Sequence, residues 1–267
     1  MIELRGSSVI VTGASRGIGK AIALALAKEG AFVIAAARTL SEKTGAAGSL
    51  EETLKEIKSA GGNAEGIVCD VSKERDIEDL VQGTLKRFGK IDILINNAGV
   101  FHDTDLNLVD IPVETWDLTF RVNLRGPFLC IKSVLPYMIK NRKGSIINLT
   151  SLAAVRTPGK RIAYGASKAG LDRLTYGLAQ EVKQHNIAVN ALCPIGMADT
   201  PGARTAVPEE NFSKWVKAED VAKAAVWLAK QDGSSFTGRA VTVPASGKST
   251  MIIYGKTSDE RMWISLD

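Results

Sequence analysis

The stretch that decides the fold is Val9-Ile-Val-Thr-Gly-Ala-Ser-Arg-Gly-Ile-Gly19. A short apolar run, typical of a buried strand, leads into three glycines, and residues 21–28 then form a strong helix-forming segment that ends near Gly30. Glycines permit a tight turn and the close approach of a diphosphate, and the next helix N-terminus offers free N–H groups. The spacing differs from the common G-x-G-x-x-G, so a dinucleotide site and a plain glycine-rich turn both stay open here.

A second apolar run at 32–37 ends at Arg38. In a dinucleotide-binding fold this position faces the adenosine ribose, where an acid accepts the 2′-hydroxyl and an arginine suits a 2′-phosphate. The first acid after the run is Glu42, whereas Arg38 and Arg16 are both cationic. Because a guanidinium pairs with phosphate in a bidentate way, the arginines favour NADP(H) over NAD(H). The alternative is that both are simply solvated.

Short apolar segments and helix-forming segments alternate along the rest of the chain. After a long polar loop at 39–50, in which Lys43 is a further candidate for the phosphate site, the predicted strands are 65–69, 91–95, 145–149, 187–192 and 239–243. Residues 112–141 are predicted to be helical with an irregularity at Gly126-Pro127. Such alternation implies parallel βαβ units with right-handed crossovers.

Composition and charge limit the classes of function. The formal net charge is +5, but basic residues are interspersed with acids, which favours an anionic small ligand or a solvated surface over nucleic acid. Cys69, Cys130 and Cys193 form no CxxC pair, so we expect reduced, buried thiols, and with two histidines we expect no metal site. The chain start does not resemble a signal peptide and no apolar run reaches about 18 residues, so we expect a cytoplasmic protein without a membrane span.

Tyr164 and Lys168, in Tyr164-Gly-Ala-Ser-Lys168, carry the clearest chemical signal. On a helix this interval puts the phenol and the ammonium on one face, one turn apart. An unperturbed tyrosine has a pKa of about 10, and a cation that lowers it makes the phenol a proton donor and acceptor near neutral pH. Taken alone, such a pair is usually a lysine stem packed on a ring. Ser151 and Asn97 favour a catalytic role for this pair, because both directly follow predicted strands. In open parallel sheets, ligands bind beyond the carboxyl ends of the strands.

Together these residues resemble the short-chain dehydrogenase/reductase family over about residues 5–243. The resemblance rests, in family order and spacing, on the glycine stretch 12–19, Asp70-Val71, Asn96-Asn-Ala-Gly99, Asn123, Ser151, Tyr164 and Lys168. The loop after Arg38 and the segment 122–126 are more weakly similar to the hydroxysteroid dehydrogenase-like branch. The resemblance implies an α/β fold of the Rossmann type, a doubly wound, parallel seven-stranded sheet in a single domain of residues 1–267. The segment 244–267 is then a C-terminal extension, and its apolar runs suit an edge hairpin, a subunit contact or a substrate wall.

The resemblance also implies a role for each catalytic residue. Tyr164 is expected to be the general acid for carbonyl reduction or the base for alcohol oxidation, and Ser151 to hydrogen-bond the substrate oxygen. Lys168 is expected to bind the nicotinamide ribose and to lower the pKa of Tyr164, and Asn123 to hold a water that relays protons to Lys168. The expected cofactor contacts are Gly13, Ser15, Arg16, Gly17, Ile18, Gly19, Arg38, Asp70, Val71, Asn97, Ala98, Gly99, Tyr164, Lys168, Pro194 and Ile195.

The chain departs from the family pattern after the sixth predicted strand. The family usually has Pro-Gly with a threonine four residues after the glycine, whereas here Pro194 is followed by Ile195 and Gly196, and the nearest hydroxyl is that of Thr200. Ile195 keeps an N–H for the nicotinamide carboxamide, but its Cβ is expected to narrow the loop. The usual Asp-Gly-Gly after the last strand is replaced by Pro244-Ala-Ser-Gly247.

The predicted function is that of an NADP(H)-dependent oxidoreductase. It transfers a hydride between nicotinamide and a small carbonyl compound or secondary alcohol. The alternative is a dinucleotide-binding regulator or scaffold with weak turnover, which the intact catalytic residues oppose and the altered segment at Ile195 favours. The resemblance further implies a homo-oligomer, either a tetramer or a dimer.

Overall fold

The computed structural model describes residues 1–41, 48–103, 105–156, 159–200, 203–204, 212–245, 250–252 and 261–263. Its strands, in chain order, are β1 Ser8–Thr12, β2 Phe32–Ala37, β3 Asn63–Val68, β4 Ile93–Asn96, β5 Gly144–Leu149, β6 Ile187–Ile195, β7 Ala198–Asp199, β8 Val216–Lys217, β9 Ala240–Pro244, β10 Thr250–Ile252 and β11 Arg261–Trp263. Lys43 and half of the predicted polar loop lie outside the described residues.

Seven strands form a parallel sheet in the order β3-β2-β1-β4-β5-β6-β9. The predicted seven-stranded parallel sheet is therefore confirmed. β10 adds antiparallel to β9, and β11 adds antiparallel to β10. Of the three interpretations of the C-terminal extension, the structure shows the edge hairpin. β7 and β8 form a separate parallel pair.

Helices cover both faces of the sheet. They are α1 Gly17–Lys28, α2 Leu50–Ser59, α3 Glu74–Phe88, α4 Val113–Phe120, α5 Gly126–Asn141, α6 Ile162–Val182 and α7 Ala218–Ala229. Because successive side chains of a strand point to opposite faces, Val9 and Val11 of β1 pack with α1 and α7, whereas Ile10 packs with α3 and α5. This arrangement confirms the doubly wound α/β fold of the Rossmann type.

The cysteines of the chain agree with the expectation of buried thiols. The three cysteines are buried and unpaired, and burial raises the pKa of Cys69 and of Cys193 to about 12, so these thiols stay neutral. Within the described ranges, no group of three or more His, Cys, Asp or Glu side chains is arranged to hold a metal ion. In the same ranges, no helix has the length and apolar character needed to cross a bilayer.

Candidate active site

The glycine loop joins β1 to α1 in a conformation that needs its glycines. Gly13 has φ of +69°, in the left-handed region, and a Cβ there would lie 2.8 Å from Asn97 Nδ2 and 2.9 Å from Ala98 Cα. A Cβ on Gly19 would overlap the carbonyl oxygen of Gly13. The loop thus packs directly against the end of β4, and side chains at Gly13 and Gly19 would prevent this close packing.

Asn97 holds this loop in place. Its Nδ2 donates to the carbonyl oxygen of Thr12 at 2.9 Å and to that of Gly13 at 3.2 Å, and its backbone N–H donates to Thr12 Oγ1 at 3.1 Å. Thr12 Oγ1 in turn donates to the Ile95 carbonyl oxygen at 3.2 Å. The side-chain amide of Asn97 therefore fixes the loop together with Thr12. Thr12 belongs to the stretch 12–19 but is not among the predicted cofactor contacts.

A cleft runs along the carboxyl ends of β1, β2 and β4. It brings together most of the predicted cofactor residues, and its lining includes Gly13, Ser15, Arg16, Gly17, Ile18, Gly19, Arg38, Asp70, Val71, Asn97, Ala98 and Gly99. Parallel strands end at the same edge of the sheet, which is where ligands bind in this class of fold. The N-terminus of α1 begins at Gly17 in this cleft, and its free N–H groups suit a diphosphate.

Arg38 and Asp70 lie at one end of this cleft, after β2 and β3. Asp70 Oδ1 accepts hydrogen bonds from the Ser72 N–H at 3.0 Å and the Ser72 hydroxyl at 2.8 Å, which form a turn between β3 and α3. The N-cap of α3 is Lys73. Partial burial acts to raise the pKa of Asp70, but the Ser72 hydrogen bonds and the charge of Arg38 outweigh it, so the pKa is lowered.

Tyr164 and Lys168 occupy the first turns of α6, facing the end of β5. The Lys168 Nζ lies 5.7 Å from the centroid of the Tyr164 ring and donates to the Leu149 carbonyl oxygen at 2.7 Å. The Ser151 hydroxyl accepts from the Ala153 N–H at 3.2 Å and lines a common cavity with Tyr164 and Lys168. The structure therefore brings the predicted serine, tyrosine and lysine together.

The protonation of this group differs from the expectation. Burial raises the pKa of Tyr164, and the hydrogen bond from Ser151 offsets this only in part. Burial also lowers the pKa of Lys168 to about 8, against a smaller opposing effect of Asp172. The prediction that Lys168 lowers the pKa of Tyr164 is therefore wrong for the cofactor-free chain. The physical reason is that removal of the phenolate from water outweighs the nearby charges.

Asn123 is positioned by a break in helical geometry. A five-residue π-helical segment, Arg121–Arg125, separates α4 from α5, and within it the Gly126 N–H donates to the Arg121 carbonyl oxygen. This is the predicted irregularity, and π-helical turns are frequent at functional sites. Pro127 has no N–H to offer to the Asn123 carbonyl oxygen four residues before it.

The side chain of Asn123 is fully used by its neighbours. Its Oδ1 accepts from the Val100 N–H at 2.8 Å, and its Nδ2 donates to the Val100 carbonyl oxygen at 2.8 Å and to Ser167 Oγ at 3.1 Å. A Cβ on Gly99 would lie 3.4 Å from Asn123 Oδ1 and 3.8 Å from Lys168 Nζ. Asn123 therefore ties the strand-end loop at Val100 to α6, beside Lys168.

Asp103 is a site residue that the sequence did not indicate. The N-cap of α6 is Arg161, whose side chain makes no capping hydrogen bond. Instead Asp103, fully buried in the loop after β4, accepts the N–H groups of Ala163 at 2.8 Å and Tyr164 at 3.2 Å through Oδ2. A local signal did exist, because α6 starts without Ser, Thr, Asp or Asn at its cap. The distance of 60 residues between cap and helix hides the partner.

A second cavity adjoins the cleft and opens on Tyr164. Its lining includes the hydroxyl groups of Ser151, Tyr164 and Thr150, the Lys168 ammonium and the side chains of Phe101, Arg161 and Met197. The Phe101 ring meets the Tyr164 ring edge-on, with centroids 6.3 Å apart. Phe101, Arg161 and Met197 are further site residues that the sequence did not indicate. The cavity thus combines the predicted reactive residues with the apolar side chains of Phe101 and Met197 and the cationic side chain of Arg161.

The segment at Ile195 departs from the prediction. The sixth strand was expected to end at Leu192, but β6 continues to Ile195, which pairs with Pro244 of β9. The turn is made one residue later by Gly196, with φ of +106°. Pro194 and Gly196 line the second cavity, whereas Ile195 is not among the lining residues that the structure describes. The contact between the Ile195 N–H and the nicotinamide carboxamide stays a prediction.

Thr200 lies over the glycine loop. It lines both cavities, and a Cβ on Gly17 would lie 3.0 Å from its Cγ2. Its hydroxyl accepts from the Ala203 N–H at 3.2 Å. The hydroxyl that the family pattern places one residue earlier thus still reaches the junction between the two cavities.

Comparison with known proteins agrees with this geometry. The family model of the short chain dehydrogenases matches residues 7–211, which is more than half of the chain. The protein belongs to the short-chain dehydrogenase/reductase family. Membership makes it an oxidoreductase that transfers a hydride to or from a nicotinamide cofactor. The predicted resemblance is confirmed.

Individual relatives cover most of this short-chain dehydrogenase/reductase. The chain is 35% identical over 250 residues to the 3-oxoacyl-[acyl-carrier-protein] reductase FabG of Thermotoga maritima, covering 91% of this chain and 98% of that protein. It is 36% identical over 241 residues to human hydroxysteroid dehydrogenase-like protein 2, of which it spans 57%. A metagenomic short-chain oxidoreductase solved in complex with NADP is 35% identical, with a TM-score of 0.76, covering 91% of this chain and 98% of that one.

Proposed function

We propose that the protein is an NADP(H)-dependent oxidoreductase that interconverts a carbonyl compound and a secondary alcohol, with Tyr164 as the general acid or base. The observation that carries this proposal is the junction of the two cavities, because Ile18, Asn97 and Gly99 line both. A dinucleotide placed along the cleft ends beside the hydroxyl groups of the second cavity. When bound, the nicotinamide supplies or accepts the hydride, and the chain positions the reactants and provides the electrostatic environment.

Tyr164 and Ser151 are the groups proposed to act on the substrate oxygen. With its pKa raised, the Tyr164 phenol is protonated at neutral pH in the cofactor-free chain, which is the form that protonates a ketone oxygen. The Ser151 hydroxyl accepts from the Ala153 N–H, which leaves its own O–H free to donate into the cavity that it lines with Tyr164. It can therefore stabilise negative charge on the oxygen without reorganising.

Lys168 and Asn123 are proposed to serve the ribose and the proton supply. An ammonium has three N–H donors, and Lys168 directs one of them at the Leu149 carbonyl oxygen. The others are proposed to bind the nicotinamide ribose hydroxyls. The Asn123 carbonyl, which Pro127 deprives of an α-helical donor, is proposed to accept from the water that relays protons to Lys168.

The preference for NADP(H) over NAD(H) rests on charge. Arg16 and Arg38 line the cleft at the end of β2, where the 2′-substituent of the adenosine ribose lies in such folds. A 2′-phosphate is the ligand that suits a guanidinium there. The NADP complex of the metagenomic relative supports the same preference in this chain.

The exposed apolar side chains of α4 and α5 are relevant to the formation of a homo-oligomer. Val113 and Phe128 are exposed by 69% and 45%. We propose a homo-oligomer, either a tetramer or a dimer, as the family resemblance implies. Light scattering after size-exclusion chromatography measures the mass directly, and a monomer at all concentrations would contradict it.

A substrate screen tests the proposed function. NADPH absorbance is followed with a panel of ketones and aldehydes that includes neutral and anionic members, and NADPH binding is measured in parallel by fluorescence. We expect binding and turnover of at least one member. Binding without turnover across the panel would favour the alternative, a dinucleotide-binding regulator.

A further inference from the structure

Arg161 places a cation in the wall of the second cavity. It directly precedes α6, three residues before Tyr164, and its side chain lines the cavity with Tyr164, Ser151 and Met197. Its charge reaches the phenol, since it acts to lower the pKa of Tyr164 against the larger effect of burial. The guanidinium is therefore close enough to the reacting groups to contact a small molecule bound there.

The contacts of this guanidinium leave it open to a ligand. Arg161 Nη1 lies 3.8 Å from the thioether sulfur of Met197, which is a weak acceptor. Among the described residues, no carboxylate lies within 4.0 Å of Arg161, whereas Arg204 pairs with Asp199 and Arg125 with Glu74. Arg161 is nevertheless half-buried. A partly desolvated guanidinium with unused N–H donors favours an anionic partner.

The backbone also points to the side chain as the binding group. Arg161 has φ of +61° and ψ of +40°, a left-handed conformation uncommon for residues other than glycine and typical of functional sites. The N–H groups of Ala163 and Tyr164 at the start of α6 are already bound by Asp103. These two N–H groups are therefore not available to an anion in the cavity, whereas the guanidinium is.

We propose that Arg161 binds an anionic group, a carboxylate or a phosphate, on the carbonyl or alcohol substrate. This inference rests on the proposed function. A guanidinium binds either anion in a bidentate way, which fixes the substrate as well as attracting it. The cavity that Arg161 shares with the reacting groups is also lined by Phe101, Met197 and Ala198. The preferred substrates are therefore oxo acids, hydroxy acids or their phosphorylated counterparts with a short apolar body.

Matched substrate pairs test this assignment. The pairs are a 2-oxo and a 3-oxo acid with their methyl esters, and a ketone phosphate with the unphosphorylated hydroxyketone. For wild type we expect kcat/KM to favour the anionic member of at least one pair. In Arg161→Met this preference should fall roughly 10–100-fold, mainly through KM, because a charged hydrogen-bond pair is lost. Arg161→Lys should restore part of it.

Controls separate binding from folding. Arg156 is exposed and is not among the residues that line either cavity, so Arg156→Met should keep the preference of wild type. NADPH affinity is measured for every variant, and an unchanged value shows that Arg161→Met is folded. Denaturation curves give a second check.

The outcomes are distinguishable. A preference for the phosphate alone or for the carboxylate alone, lost in Arg161→Met, identifies which anion is bound. Equal use of anionic and neutral members by wild type, or an unaltered preference in Arg161→Met, overturns the assignment while the proposed function stands. Failure of wild type to reduce any member with NADPH overturns both.

Discussion

Asp103 Oδ2 accepts the backbone N–H of Tyr164 at 3.2 Å, so a fully buried carboxylate from the loop after β4 holds the first turn of the catalytic helix. The same oxygen accepts the Ala163 N–H at 2.8 Å. A negative charge at a helix N-terminus satisfies free N–H groups and opposes the positive end of the helix dipole. The position of the Tyr164 phenol thus depends on a residue 61 positions earlier in the chain.

Replacement of Asp103 should affect both stability and turnover. Asp103→Ala removes both capping hydrogen bonds, and we expect the free energy of unfolding to fall by about 1–2 kcal/mol. Asp103→Asn keeps an acceptor oxygen and should lose less. Urea denaturation and kcat measure the two effects, with exposed Asp105→Asn as the control. A kcat for Asp103→Ala equal to that of wild type would show that the cap does not position Tyr164.

Removal of the phenol hydroxyl should abolish turnover without releasing the cofactor. We expect Tyr164→Phe to lower kcat by about 10²–10⁴-fold, because the proposed proton donor is lost. NADPH affinity should stay within about twofold of wild type. Tyr137→Phe is the matched control, since Tyr137 accepts a hydrogen bond from Gln82 on the outer side of α5. Undiminished turnover in Tyr164→Phe would exclude the proposed mechanism.

The buried ammonium of Lys168 gives stability a pH dependence. Its pKa is lowered from 10.5 to about 8, so between these values the unfolded chain binds more protons than the folded one. The contribution of Lys168 to the free energy of unfolding therefore increases as pH rises through that window, because the cost of burying the charge disappears. Below pH 8 both states are protonated and the group contributes no further change.

Comparison of wild type with Lys168→Met isolates this effect. The difference in unfolding free energy should shift in favour of wild type by on the order of 2 kcal/mol between pH 8 and pH 10. The other titrating groups are the same in both proteins, so their contributions to the difference cancel. Lys132→Met, on the exposed side of α5, should show no such shift. A flat difference for Lys168→Met would mean that Lys168 is not desolvated.

Arg38 should set the choice of cofactor. We expect Arg38→Ala to weaken NADPH binding about tenfold and to leave NADH binding nearly unaltered, because a guanidinium–phosphate pair contributes only to the former. Fluorescence titrations with both cofactors measure the ratio. Arg75→Ala is the control, since Arg75 is exposed on α3 and pairs with Asp79. An unchanged ratio in Arg38→Ala would remove Arg38 from the phosphate site.

The parts of the site that the sequence predicted are those encoded locally. The strand, glycines and helix at 9–28 and the Tyr164–Lys168 interval carry their own conformational signals. The Asp103 cap and the Asn97 brace join residues far apart in the chain, and no local pattern locates such partners. The direction of the Tyr164 pKa shift was mispredicted for a related reason. Charge spacing is visible in the sequence, whereas the desolvation that outweighs it depends on packing.

Ile195 shows how tertiary pairing changes the meaning of a motif. The family glycine after Pro194 is replaced, yet the strand continues because Ile195 pairs with Pro244, and Gly196 makes the turn. Ile195→Gly, which restores the family pattern, should therefore not improve NADPH binding. It should lower the free energy of unfolding by about 0.5–1 kcal/mol, because glycine in a strand loses more conformational freedom on folding.

Gly196→Ala is the informative counterpart to Ile195→Gly. With φ of +106° at Gly196, a Cβ is strained whatever the surrounding space, and we expect a loss of about 1–3 kcal/mol together with weaker NADPH binding. Thermal denaturation and NADPH titration of the two variants decide whether the turn beside the cofactor is made at residue 195 or at residue 196. If Ile195→Gly tightened NADPH binding while Gly196→Ala left it unaltered, the cofactor would contact the chain at 195, and the role given to Gly196 would be wrong.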